Sequence, residues 1–431
     1  MKMTMKAAAA AVMAVCAASA AHAAGFMLTE QSAGALGRAY AGAGVDGTDI
    51  SGVYYNPATM TLHPGTQIQA GFVAVGLDLA YEGNDGSTEN GQYNTQAIPH
   101  GYISHQLTDN MWIGLAMTVP FGMGTEYKDD WKLGNRGISA EVLTFDFNPN
   151  VAWKVSDKLS LGAGMSIQYA AADLKMRQDF EVRGTPGSVD GEVDADSIAW
   201  GFNVGLMWSP LENLRFGLSY RSKINHNADG DFTFSNGQDA GMMLPVLGKN
   251  FNTPYDASAT ISTPAWAMAT AAWDVNDLLS LYATFRWTDW SSFETLDIKS
   301  DALDIPSVGM GGVKTVENHW QDTYLVSVGA DLRFTNWWTF RAGIGYETSA
   351  VDDPKYRTAI IPDADRLWLA LGSSFKATEN MQIDVSAAWL HGVGERNLWS
   401  TDGSDHKVPE KAGKFEDLDA YLFGVQLVYK F

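Results

Sequence analysis

The sequence predicts an all-β chain: an antiparallel β-barrel of fourteen strands that crosses a membrane, with an N-terminal hatch held in its lumen. Three observations lead there. The chain opens with an export signal, alternating apolar and polar segments recur to its last residue, and short polar turns take turns with long Gly- and Asp-rich connectors. Composition removes other classes. The 431 residues are 46% hydrophobic and 18% charged, with 15 Trp, 16 Tyr and 19 Phe, which argues against disorder. Lys and Arg number 29 against 50 Asp and Glu, a net charge of -21. Nucleic acid is therefore not an expected partner, since phosphate binding needs clustered positive charge. A mean hydropathy of -0.13 excludes a bundle of membrane helices.

The first element is the signal. Lys2 and Lys6 precede a small and apolar stretch from Ala7 to Ala18, followed by Ala21-His22-Ala23. A basic start, a short apolar core and an A-x-A end predict a secretory signal peptide, residues 1–23, cut after Ala23. Cys16, the chain's one cysteine, lies inside it. The mature chain is thus expected to have no disulfide and no thiolate metal site.

Residues 24–65 come next, with eight Gly from Gly25 to Gly65 and no sustained alternation. Two readings suit them: a hatch folded back into the lumen, or a flexible periplasmic tail.

The barrel, residues 66–431, rests on repetition, because a single membrane strand gives a weak signal. Tyr421, Phe423, Val425, Leu427, Tyr429 and Phe431 share one face of the last strand, with Gly424, Gln426 and Lys430 on the other. Leu214, Phe216, Leu218 and Tyr220 oppose Arg215, Ser219 and Arg221. Trp338, Phe340, Ile344 and Tyr346 oppose Arg341 and Glu347, and Phe285 and Trp287 oppose Tyr282, Thr284 and Arg286. Apolar faces rich in aromatics are what a lipid-facing wall with interfacial girdles requires.

Short turns are expected near 108–110, 156–158, 209–213, 276–277, 335–336 and 378–380. Long connectors are expected over 82–95, 121–140, 178–195, 228–257, 292–320, 349–363 and 393–416. Six hairpins with one strand before and one after give fourteen, an even count with tight turns on one rim and long loops on the other. This places the chain in the outer membrane of a Gram-negative cell.

Several short motifs strengthen that picture. Ala24-Gly25-Phe26, Gly37-Arg38-Ala39-Tyr40-Ala41-Gly42 and Tyr55-Asn56-Pro57-Ala58 are followed by Pro120-Phe121-Gly122-Met123-Gly124-Thr125-Glu126-Tyr127, Phe147-Asn148-Pro149-Asn150 and Ile361-Pro362-Asp363-Ala364-Asp365-Arg366-Leu367-Trp368. Together, and in this order across the mature chain, they resemble the FadL family of outer-membrane transporters of long-chain fatty acids and other hydrophobic compounds. The resemblance implies passive uptake: capture among the outer loops, transfer to a pocket beside the mature N-terminus, and sideways exit at a kink in the third strand, here about 111–120 running into Pro120-Phe121-Gly122. It also implies two basic lumen residues that meet a carboxylate. A match of flanking residues puts those positions at Ala171 and Gln321, neither of them basic. The pocket is therefore expected to be neutral, with Arg215, Arg221, Arg286, Arg341 and Arg366 as substitute cations.

The candidate ligand contacts are Phe26, Phe121, Trp131, Arg221, Arg341, Arg366 and the apolar connector Met242, Met243, Leu244, Leu247 and Phe251. Flexible Met and exposed apolar surface suit capture of varied hydrophobes, and equally suit a loop packed on itself. Asn56, Pro57 and Ala58 are expected to anchor the hatch, since Pro fixes its backbone and extends Asn56. Other motifs are weaker. Gly42-x-Gly44-x-x-Gly47 follows no strand and suits no dinucleotide. Asn225-x-Asn227-x-Asp229-Gly230 starts like a calcium loop, but Asn236 stands where a bidentate Glu is needed. The histidines show no HExxH spacing, so neither a metal site nor a catalytic site is expected, and no cofactor. The expected partners are hydrophobic small molecules (fatty acids, alkanes or aromatics), outer-membrane lipid and lipopolysaccharide, and the barrel-insertion machinery that reads the terminal Phe431; a monomer is expected. The competing function is an open diffusion porin or a purely structural barrel.

Overall fold

The structure, a computed structural model, describes residues 25–91, 95–182, 185–235, 248–305, 310–400 and 410–431. The expected signal 1–23 and Met242, Met243, Leu244 and Leu247 lie outside them. Fourteen antiparallel strands form a closed ring. They are β1 (Thr66–Gly83), β2 (Gln96–Thr108), β3 (Met111–Thr118, resuming as Gly122–Glu126), β4 (Ser139–Ser156), β5 (Leu159–Val182), β6 (Thr185–Leu211) and β7 (Leu214–Arg221, resuming as Ile224–Ser235). The second half holds β8 (Tyr255–Thr263 and Trp266–Asp274), β9 (Leu279–Thr288 and Thr295–Ile305), β10 (Met310–Glu317 and Thr323–Arg333), β11 (Trp338–Glu347), β12 (Asp365–Lys376), β13 (Met381–Val393) and β14 (Lys411–Lys430). Two three-residue strands, Thr88–Asn90 and Asn397–Trp399, add to the connectors after β1 and β13. β14 closes on β1, with Gln67 opposite Lys430 and Gly83 opposite Gly413. This pairing removes the free edges that the first and last strands would otherwise present to lipid, which offers backbone groups no hydrogen bonds.

Alternation sets which face meets lipid. Ile68, Phe72, Phe202, Leu218, Phe285, Ile344 and Phe423 point outward, and Trp200 is 76% exposed. Arg221, Arg286, Arg341, Glu347 and Gln426, at the alternate positions, are buried inside. All six short turns fall where the sequence places them, between consecutive strands from β2–β3 to β12–β13.

The long connectors differ from expectation. Much of 178–195, 228–257 and 292–320 is not loop but β-ribbon continuing the wall. β5 and β6 stay paired until Val182 meets Thr185, and Ile224–Ser235, Tyr255–Thr263, Thr295–Ile305 and Met310–Glu317 extend the ladder beside them. There the pattern inverts. Val193, Phe232 and Ile298 turn inward and are buried, while Glu192, Asp194, Asp231 and Asp297 turn outward. A wall that has left the lipid presents polar residues to water and keeps its apolar residues for the interior. The calcium-like stretch 225–230 lies in this ladder, paired with β8, and is not a loop.

Residues 25–65 are buried almost throughout and contact inward side chains from around the ring. The segment has two short helices, α1 (Ala33–Leu36) and α2 (Gly52–Tyr55), then a 3-10 turn at Pro57–Leu62. Ser32 caps α1 by accepting from the Ala35 amide at 3.0 Å, and Asn56 starts the 3-10 turn by accepting from the Ala58 amide at 3.2 Å. Gln426 on β14 accepts from the Ala33 amide at 2.8 Å, Thr284 on β9 accepts from the Gly42 amide at 2.9 Å, and Trp112 on β3 donates to the His63 carbonyl at 2.9 Å.

Candidate functional site

The third strand is interrupted where Pro120 falls. Met111–Met117 of β3 pair with Gly101–Thr108 of β2, but beyond Met117 the two strands part. Gln96–His100 of β2 then pair with β1 alone, and Gly122–Glu126 pair with β4 alone. Pro120 has no N–H to give to a ladder, which favours a break at this place.

The N-terminal segment fills the inner side of the break. The Leu28 amide donates to the Pro120 carbonyl at 2.8 Å and the Gly122 amide donates to the Phe26 carbonyl at 2.9 Å, so Met27 and Phe121 face each other as an antiparallel bridge. Gln31 donates through Nε2 to the Val119 carbonyl at 2.7 Å. From β4, Thr144 accepts from the Phe121 amide at 2.9 Å and donates to the Phe121 carbonyl at 2.8 Å. The backbone groups of residues 119–122 at the kink are therefore met by the N-terminal segment together with Thr144 of the wall.

Phe26 joins this break to a cavity. Its ring lies 4.8 Å from Trp290, 5.8 Å from Phe293, 6.0 Å from Phe121 and 6.2 Å from Trp320, three of the four edge-on. Gly25, at φ +63°, makes that seat possible, because a Cβ there would stand 2.7 Å from Trp290. On the far side of Phe26 is an apolar cavity walled by the inverted ribbons, with Leu174, Val193, Phe232, Ile298 and Ile360 prominent. Its space for the centre of a water-sized sphere is about 70 Å³, room for a few waters. A long aliphatic chain needs side chains such as Phe26 to move. Gln178, Lys175, Lys314, Asn318 and Thr358 are its polar lining.

The sequence candidates divide clearly. Phe26 lines the cavity, and Phe121 stands between it and the break. Trp131 lies elsewhere, in a cluster where it stacks on Tyr127 at 3.9 Å and meets Tyr81 edge-on. Phe251 packs against the main core and bridges Phe234. None of the arginines is in the cavity lining. Arg221 binds Asp146 at 2.9 Å and lies 4.5 Å over the Tyr54 ring. Arg341 binds Asp384 at 3.1 Å and donates to the Gly34 carbonyl at 3.2 Å. Arg366 pairs with Asp363, and with Glu347 at 3.7 Å. Arg286 binds Glu347 at 2.7 Å and Thr29 at 2.9 Å, while Arg215 holds the Val45 carbonyl at 3.0 Å. These cations fasten the N-terminal segment and balance buried acids. Ala171 and Gln321 do not line the cavity either; Gln321 donates through Nε2 to the Ser349 carbonyl at 3.2 Å.

Asn56, Pro57 and Ala58 are buried, and Asn56 donates through Nδ2 to the Leu206 carbonyl at 3.0 Å. The wall thins to receive them. A Cβ on Gly205 would stand 2.0 Å from Asn56 Oδ1, and one on Gly162 would stand 2.4 Å from the Ala58 amide.

Sequence reasoning missed Lys175 and Lys314, the two lysines of the cavity lining. No alternation marks residues 313–316, where Val-Lys-Thr-Val puts one polar and one apolar residue on each face, and the stretch reads as a loop.

Comparison with known proteins agrees with this architecture. Residues 14–431 match the family described as outer membrane protein transport protein (OMPP1/FadL/TodX). The long-chain fatty acid transport protein of Escherichia coli O6:H1 is 27% identical over 435 residues, covering 95% of this chain and 94% of that one. Among solved structures, a Pseudomonas aeruginosa FadL homologue superposes with a TM-score of 0.84 at 24% identity, covering 95% of this chain and all of that one. The Pseudomonas putida toluene transporter TodX superposes with a TM-score of 0.69 at 16% identity, covering 95% of this chain and all of that one. The chain belongs to the OMPP1/FadL/TodX family of outer-membrane transport proteins.

Proposed function

We propose that this outer-membrane barrel takes up fatty acids or other hydrophobic compounds passively, through the cavity beside Phe26 and out sideways at the break between β2 and β3. Residues 24–65 act as the hatch. The observation that carries the reading is the position of Phe26, whose ring lines the cavity and whose carbonyl is bonded to Gly122 beside the break. Displacing residues 26–28 opens both at once. No energy source is needed within the barrel, because a ligand that leaves water gains about 0.8 kcal/mol per methylene buried. Exit through the wall delivers it to lipid rather than to the periplasm. The E. coli relative, described as a long-chain fatty acid transport protein, supports the substrate class.

The bridge between Met27 and Phe121 allows a direct test. Cα atoms directly opposite in an antiparallel pair stand about 4.5–5.5 Å apart, within disulfide range. A chain carrying Met27→Cys and Phe121→Cys should be closed by oxidation and reopened by reductant, read as uptake of a labelled hydrophobe by whole cells. Full uptake with the disulfide formed rules out this route. An open porin, the alternative, would also pass a steady ion current in a planar bilayer.

A further inference from the structure

We infer that Gln31 and Tyr102 form a clasp across the break between β2 and β3, and that this clasp sets how often the break opens. Its role rests on the exit proposed at that place and names the side chains that hold the exit shut. Beyond the pair of Gly101 with Met117 the two strands part. The same register carried further would set Pro99 against Val119, and Pro99 has no N–H to donate. Val119 finds its partner in the N-terminal segment instead. Its amide donates to Gln31 Oε1 at 3.3 Å, and Gln31 Nε2 donates to its carbonyl at 2.7 Å. One side-chain amide thus gives Val119 both of the bonds that the backbone of a neighbouring strand would have given.

The other half of the clasp comes from β2. The Tyr102 hydroxyl donates to the Gln31 carbonyl at 2.6 Å, so a single residue is bonded to both flanks of the break. The amide of Gln31 is fixed in one sense. Nε2 also donates to the Leu28 carbonyl at 3.2 Å, and a flipped amide would set its oxygen against two carbonyls. Gln31 and Tyr102 are both buried, so a bond lost here is not replaced by water. The surroundings confine what the clasp controls. On the far flank Thr144 holds Phe121 to β4, so β3 keeps its place when the clasp parts. Immediately after Gln31 the segment is fastened independently: Ser32 donates to Asp49 at 3.0 Å, and Gln426 accepts from the Ala33 amide at 2.8 Å. Parting of the clasp therefore loosens the stretch before Ser32 at the break and leaves the rest of the segment seated in the lumen.

The chain's one cysteine, Cys16, lies in the expected signal, so Met27→Cys supplies a single reporter thiol at a buried position of the seal. Its alkylation by N-ethylmaleimide measures how often the seal opens. In that background Gln31→Met keeps the length of the side chain and loses the amide, and Tyr102→Phe loses only the hydroxyl. Each should raise the alkylation rate of the folded barrel about tenfold, the factor expected for one or two buried hydrogen bonds, and should speed uptake of radiolabelled oleate by whole cells. Conductance in a planar bilayer should stay at the level of the unaltered protein. Heat-modifiable gel mobility identifies folded variants, and Tyr102→Phe decides the matter if Gln31→Met does not fold. Unchanged alkylation in folded Tyr102→Phe overturns the clasp while leaving exit at the break intact. A conductance that rises together with alkylation also overturns it, because Gln31 would then hold the whole segment in place rather than the break. Full uptake by the oxidised chain carrying Met27→Cys and Phe121→Cys overturns exit at the break itself, and the clasp's part in transport with it.

Discussion

Glu30 is the residue whose chemistry is most at odds with its surroundings. It lies in the N-terminal segment, 1% exposed, with Oε2 unpartnered among the described residues. Burial pushes its carboxyl up to about 7, nearby Glu347 adds to the rise, and Arg286 and Arg366 only partly offset it. The sign follows directly. The docked segment holds this proton more tightly than a released one, so docking is strongest below about pH 4.5 and loses that contribution as pH rises towards 7. The loss is on the order of 3 kcal/mol. Glu30→Gln should therefore flatten the pH dependence of thermal stability between pH 5 and 8 and stabilise the protein at pH 8. An unaltered slope would show that Glu30 is not the group responsible; Asp46, raised by burial to about 6, acts in the same direction and should leave a residual slope. The residue scale is also where the sequence is least legible. Arg221, Arg341 and Arg366 are visible as inward cations, but not their buried partners Asp146, Asp384 and Asp363, which lie 75, 43 and 3 residues away in the chain. Phe26 was identifiable because a motif marks it. Lys314 was not, because the ribbon that carries it into the cavity lining reads as a loop in the sequence.

At the scale of elements, the strands that meet lipid were legible because their alternation has one phase: apolar out, polar in. The ribbons above them keep period two but reverse the phase, so that Glu192 and Asp194 face out and Val193 faces in. Without a lipid-facing run, acidic strands read as acidic loops, and the cavity that they wall was hidden with them. The N-terminal segment was harder still, because its shape is moulded by the barrel. Ala39 and Tyr40 have φ of 50° and 62°, a left-handed conformation that side chains other than Gly seldom adopt. Arg38 just before them binds Asp331 at 2.9 Å and lies 4.2 Å over the Tyr282 ring. Gly343 makes room: a Cβ there would stand 2.2 Å from the carbonyl carbon and oxygen of Arg38. Backbone held at such a turn cannot yield as a flexible side chain can. Gly343→Ala should cost about 1–3 kcal/mol through overpacking and should make the N-terminal segment more sensitive to protease. Gly311→Ala, where nothing lies within 4 Å, is the matched control. Equal protease sensitivity in the two variants would show that the turn at Arg38 is not held by close packing.

At the scale of the whole molecule, two sets of interactions are nearly separable. The ring is held by its backbone ladder, closed from β1 to β14, and needs no contact with residues 25–65 to remain closed. The N-terminal segment is held by side chains: its Arg38 binds Asp331 of the wall, wall residues Arg286 and Arg341 donate to its Thr29 hydroxyl and Gly34 carbonyl, and three inward glycines, Gly162, Gly205 and Gly343, shape the wall to it. Removing the segment should therefore empty the ring without opening it. The exposed interior would be lined with charge from Arg221, Asp146, Arg341 and Asp384, residues now buried, and a polar lumen wide enough to have held a folded segment would admit water and ions. A chain deleted for residues 25–65 should still migrate as a heat-modifiable barrel, and its conductance in a planar bilayer should rise strongly over that of the intact protein. A folded deletion variant with unchanged conductance would mean that this segment does not seal the barrel. In that case the arginine contacts would only stabilise the chain, and the break beside Pro120 would have no gate.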